Sequence, residues 1–145
     1  MLKKVLVLVD GTENSLRALA YAREACKLAD GELIVMTAVK TDLATTAETA
    51  PLDKELRSQA NSDAVKWGNK MLGAAKEILD DCGLSVQYIL EFGPPAMTAL
   101  KTVEKLQCDT IVLGSRGLGT IKGILNDSVS KKLVQEAKVP VIVIK

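Results

Sequence analysis

The sequence predicts one α/β domain built on a parallel sheet with helices on both faces. Two observations lead there. Runs at 5–9, 32–39, 109–113 and 139–144 are of strand length and rich in branched apolar residues, as in strands buried on both faces. Stretches of helical spacing separate them, so the order is β-α-β-α-β-α-β-α-β. That alternation implies parallel strands joined by right-handed crossovers. A chain of 145 residues suits a single domain. No repeat, second domain or linker is visible, so 1–145 is read as one unit.

Val5-Leu-Val-Leu-Val9 is the first strand. Asp10-Gly-Thr-Glu-Asn-Ser15 punctuates it, and Thr12 or Asn14 can cap the helix that follows. Leu16, Leu19, Ala20, Cys26 and Ala29 recur at roughly helical spacing, and Gly31 is expected to stop that helix. The second strand is 32–39. Residues 40–53 are rich in Ala and Thr, without period or large anchoring side chains. Little apolar burial would offset the entropy of ordering them, so a mobile loop is expected. The second helix, 56–82, carries Ala60, Ala64, Trp67, Met71, Ala74, Ala75, Ile78 and Leu79, and Gly83 ends it. In 84–92, Leu84, Val86, Tyr88, Leu90 and Phe92 share one face and Ile89 breaks the alternation, as an edge strand allows. Gly93-Pro-Pro95 closes that strand. A third helix (96–106), a fourth strand (109–113), a glycine loop, a fourth helix (129–137) and a fifth strand (139–144) complete the chain.

Composition removes several classes of function. A net charge of +1 offers no surface for polyanions, and one Trp, one Phe and two Tyr make no platform for stacked bases. No nucleic-acid partner is expected. No apolar run reaches the ~20 residues of a membrane span. Met1-Leu-Lys-Lys-Val5 runs straight into a strand without a cleavage site. A cytosolic protein is expected. Cys26, Cys82 and Cys108 form no Cys-x-x-Cys pair and the chain has no histidine, so zinc centres and histidine triads are ruled out. The cysteines read as small, part-buried hydrophobes. No metal or catalytic residue is assigned.

Open parallel sheets bind ligands beyond the carboxyl ends of their strands. Asp10, Ala38 with Val39, Gly93 and Gly114 stand at those ends. Asp10 could meet a ribose or base, or could serve as a cap. After the fourth strand, Gly114, Gly117, Gly119 and Gly123 fall within ten residues. Strand, glycine loop and helix together can turn backbone N–H groups toward an anion. The order Gly114-x-x-Gly117-x-Gly119 is not the dinucleotide fingerprint, and no Gly-Lys-Ser/Thr is present. Asp10-Gly-Thr12 is similar to the aspartyl phosphotransferase turn but lacks the neighbouring acid for magnesium. Arg116 and Lys122 could pair with phosphates or be solvated loop charges.

Val7-Leu-Val-Asp10-Gly-Thr-Glu-Asn-Ser15, Gly93-Pro94, Ile111-Val-Leu-Gly114-Ser-Arg-Gly117, Ser128-Val-Ser130 and the terminal Val139-Pro-Val-Ile-Val143 together resemble the universal stress proteins of small single-domain type. The likeness spans nearly all of the chain. It implies an adenine-nucleotide α-hydrolase-like fold with strand order 3-2-1-4-5, and a crevice between strands one and four. It further implies a cytosolic stress-response module that holds ATP, with or without magnesium. Asp10, with Gly11 and Thr12 of its turn, and Ala38 with Val39 would meet adenine or ribose. Gly114, Arg116 and Gly117 would line the phosphates, and Ser128 and Val129 would close the site. ATP-binding members carry Gly, two residues, Gly, nine residues, Gly, then Ser or Thr. Here Gly114, Gly117 and Ser128 match, but Asp127 replaces the third glycine.

Asp127 would stand at a helix start, where free N–H groups otherwise meet phosphate, so its carboxylate is expected to weaken ATP binding. A nucleotide-free scaffold acting through protein contacts, and a slow ATP hydrolase, remain the alternatives. Residues 139–144 are apolar on both faces, an exposed edge that invites pairing. A homodimer through strand five is expected, alongside protein partners that the sequence does not name.

Overall fold

The computed structural model describes residues 1–39, 54–115 and 127–145. The expected mobile loop at 40–53, and Arg116, Gly117, Gly119, Lys122 and Gly123 of the glycine loop, lie outside them. The elements are β1 (Lys4–Leu8), α1 (Glu13–Ala29), β2 (Glu32–Val39), α2 (Lys54–Ile78), β3 (Val86–Phe92), α3 (Pro95–Leu106), β4 (Thr110–Gly114), α4 (Asp127–Glu136) and β5 (Val141–Ile144). All neighbouring strands pair in parallel, in the order β3-β2-β1-β4-β5. The order reverses at β1, whose neighbours are β2 and β4. None of the described helices is long and apolar enough to cross a membrane.

The sheet separates two apolar layers. On one face Val5, Val7, Leu33, Val35 and Val112 pack with Ala18, Leu19, Ala22 and Cys26 of α1 and Leu72 and Ala75 of α2. On the other, Leu6, Leu8, Ile34, Met36, Ile111 and Leu113 pack with Ala96, Ala99 and Val103 of α3 and Val129 and Leu133 of α4. Alternate residues of β1, β2 and β4 feed opposite layers, which is why those strands read as unbroken apolar runs. Burial pushes the thiols of Cys26 and Cys108 up to about 11, with Asp109 adding to the rise and Lys4 opposing it at Cys108. Both are buried and Cys82 is half-buried.

Several boundaries differ from the sequence reading. The residue that ends α1 in the left-handed region is Asp30, at φ 53°, and not Gly31. Gly31 is needed for space instead, because a Cβ there would run into the carbonyl oxygen of Leu2. Gly68, Leu72 and Ala75 of α2, and Leu79 just past its end, are buried, whereas Trp67 is exposed. Ala75 and Leu79 are buried as expected, but one and two turns earlier the buried face runs through Leu72 and Gly68 rather than Met71 and Trp67. Gly68 sets it by letting the helix backbone approach Leu90 and Val39, and glycine leaves no mark in an apolar pattern. The helix ends at Ile78, short of Gly83.

β3 is an edge strand, as its alternation suggests, with Val86, Tyr88 and Leu90 against one layer and Ile89 against the other. Phe92, expected on the covered face, is exposed. β5 is shorter than 139–144, because the carbonyl of Pro140 already serves as acceptor for Ile111 N–H while its own nitrogen has no proton to give. α4 starts at Asp127, two residues before the expected start.

Candidate functional site

β1 delivers the chain to Asp10 at the sheet's carboxyl edge, beside the strand-order reversal. Asp10 is buried, and its Oδ1 accepts from Thr12 N–H at 2.9 Å and from the Thr12 hydroxyl at 2.6 Å. Thr12 is the N-cap of α1, and its Oγ1 accepts from Ser15 N–H at 3.2 Å. The wholly buried Ser15 hydroxyl accepts from Asp10 N–H at 3.2 Å and donates to the Thr12 carbonyl at 2.9 Å. The Asp-Gly-Thr-x-x-Ser spacing therefore closes a locked turn. Gly11 has φ 82°, and the sulfur of Met71 from α2 fills the space a Cβ would need there.

The neighbouring strand ends are fastened to this turn. Thr37 Oγ1 donates to the Val9 carbonyl at 2.8 Å. Ala38 and Val39 are buried, so contact with a ligand there would fall to backbone rather than side chain. The carbonyl of Val39 accepts from Gly93 N–H at 3.0 Å, and Gly93 takes φ 131° to make the turn into α3. Across the reversal, a Cβ on Gly114 would lie 2.5 Å from Asn14 C and O and 2.7 Å from Ser15 N. Asn14 Nδ2 donates to the Ser115 carbonyl at 2.7 Å. The first turn of α1 thus rests directly on the end of β4.

The fold brings Asp10, Gly11, Thr12, Ala38, Val39 and Gly114 to one rim. Parallel connections make α4 run back along the sheet, so Ser128 (exposed) and Val129 (buried) begin it at the same end. The side chain of Asp127 lies outside the described part. Sequence reasoning did not place Ser15, Thr37, Met71 or Asn14 in this constellation. A polar Thr37 within an apolar strand and a serine three residues after the cap were the available signals for two of them. Met71 carried none, and Asn14 read only as a possible cap.

The universal stress protein family model matches residues 1–145. The chain belongs to the universal stress protein family. It is 28% identical to universal stress protein YxiE of Bacillus subtilis over 148 residues, covering all of both chains. It is also 28% identical to universal stress protein MJ0577 of Methanocaldococcus jannaschii over 159 residues, covering 100% of this stress protein and 96% of that one. The solved structure of MJ0577 superposes with a TM-score of 0.81 at 25% identity, over 100% of this chain and 96% of that one. The Arabidopsis thaliana family protein At3g01520, solved with AMP bound, superposes with a TM-score of 0.68 at 22% identity, over 99% of this chain and 91% of that one.

Proposed function

We propose that this universal stress protein is a binding module for an adenine nucleotide, ATP, held in the crevice between β1 and β4. One observation carries the reading. The Asp10 turn and the end of β4 form a single rim at the strand-order reversal, with backbone packed so closely at Gly114 that no side chain fits. Ligands of doubly wound sheets sit at such a reversal. The ribose and base would lie toward Asp10, Ala38 and Val39. The phosphates would lie toward Gly114, Arg116 and Gly117, with Ser128 and Val129 beside them. The fold is also one on which the Arabidopsis protein holds AMP.

Mass spectrometry of small molecules released from the purified protein tests the reading, together with calorimetric titration by ATP with and without magnesium. A stoichiometric adenine nucleotide, or saturable ATP binding, is expected. Neither result up to millimolar ATP would leave the scaffold reading in its place. Asp127 favours that second reading, because it puts an acid at the start of α4 where the ATP-binding pattern has glycine.

A further inference from the structure

We infer that the cleft between the C-terminal ends of α3 and α4 binds a small organic ammonium ion with an apolar body. The inference does not depend on the nucleotide reading. In a parallel sheet each helix carries the chain from the carboxyl edge back to the amino edge. The ends of α3 and α4 and the starts of β4 and β5 therefore meet at the opposite end of the sheet from the Asp10 rim. A cleft of about 290 Å³ lies between them. Its apolar lining is Leu100 and Val103 of α3, Cys108 just before β4 and Val139 just before β5. Val103 and Cys108 are buried, whereas Leu100 and Val139 are only half-buried, so apolar surface is left uncovered there. A water molecule takes ~30 Å³ of liquid, so the space suits a molecule of about ten non-hydrogen atoms.

The polar part of the lining selects the charge. Glu104 and Glu136 both belong to it, both are exposed, and among the described residues neither makes an ion pair. Glu136 is the last residue of α4, whose last turn holds no basic residue. Carbonyl groups gather negative charge at a helix C-terminus, where a cation is favoured and an acid is not. The end of α3 reaches the same cleft through its cap, Gln107, and adds the same sign. Lys138 is the one cation of the lining. Two carboxylates and two helix ends against one lysine leave the rim negative. A bare metal ion would need more oxygen ligands and would leave the apolar floor uncovered. Among the described residues no group of three or more His, Cys, Asp or Glu is placed to hold one. An ammonium on an apolar body uses both halves of the cleft.

The test is an NMR titration of the whole protein with phenethylamine, and with phenethyl alcohol and phenylacetate as neutral and anionic counterparts of similar size. Ten atoms at ordinary ligand efficiency correspond to an affinity in the millimolar range. The amine should shift the amides of Val103, Gln107, Cys108 and Val139 saturably and leave Gly11 and Gly114 in place. The alcohol should bind at least about threefold more weakly, and phenylacetate more weakly still. Glu104→Gln with Glu136→Gln should weaken the amine roughly three- to tenfold and change the alcohol less than about twofold. Both glutamates are exposed, so the fold should hold, and a thermal melt checks it. No saturable shift in the wild type, or shifts at Gly11 and Gly114 instead, would overturn the inference. Equal affinity for amine and alcohol would overturn it too, since the cleft would then be an apolar groove without a choice of charge.

Discussion

The sulfur of Met71 sits where a Cβ on Gly11 would go, so a side chain of α2 closes over the turn that holds Asp10. Gly11 is therefore required twice, by its φ of 82° and by the lack of space. Gly83 has a similar φ of 74° but open space around it. Gly83→Ala should cost about 1 kcal/mol, the backbone part alone. Gly11→Ala should cost about 1–3 kcal/mol more, because Met71 must be displaced. Urea unfolding of both variants checks this, and Met71→Ala should recover the excess. Equal losses at the two glycines would show that Met71 yields freely.

Asp109 ties β1 to β4 at the amino edge of the sheet. Its Oδ2 accepts from Lys3 N–H at 2.8 Å and Lys4 N–H at 3.2 Å, and its Oδ1 accepts from the Thr110 hydroxyl at 2.9 Å. Burial pushes the carboxyl up, but these bonds and the N-terminal charge outweigh it and hold it below its ordinary 3.8. A depressed carboxyl stabilises the fold above its unfolded value and loses that contribution as pH falls through its folded value. Asp109→Asn should cost about 1–2 kcal/mol at pH 7. The gap from wild type should shrink steadily below about pH 4. A gap independent of pH down to 2 would contradict the assignment.

β5 is half-buried along its whole length and pairs only with β4 among the described strands. Val141 and Val143 face one layer, Ile142 and Ile144 the other. An edge of that composition should pair with the same strand of a second copy. Light scattering at micromolar concentration should read a dimer, and Ile142→Lys should raise its dissociation constant at least tenfold. A thermal melt guards against simple unfolding, since Ile142 also packs on the α1/α2 layer. A wild-type monomer at that concentration would reject the dimer.

Asp127 opens α4; an acid is favoured at a helix N-terminus and, on the nucleotide reading, would oppose a phosphate bound there. Two unit charges ~4 Å apart repel by about 4 kcal/mol at an effective dielectric near 20. A micromolar ligand has only about 8 kcal/mol in total. Asp127→Gly should bind ATP at least tenfold tighter without magnesium. With magnesium the difference should narrow or reverse, since carboxylate and phosphate oxygens suit that ion. Identical affinities in every condition would make Asp127 a bystander.

Local chemistry carried much of this. Apolar runs announced β1, β2 and β4 because both their faces are buried, and Asp-Gly-Thr announced a capped turn because those residues bond their own backbone. The strand order came with the family resemblance and not from spacing, because a parallel crossover can place its next strand on either side of the sheet. Asn14 beside Ser115, Met71 over Gly11 and the buried face of α2 at Gly68 were decided only by tertiary structure. Each is a contact between segments distant in sequence, and at Gly68 and Gly114 what matters is the space a missing side chain leaves for another backbone or side chain. Periodicity records which residues are apolar; it does not record where two elements touch.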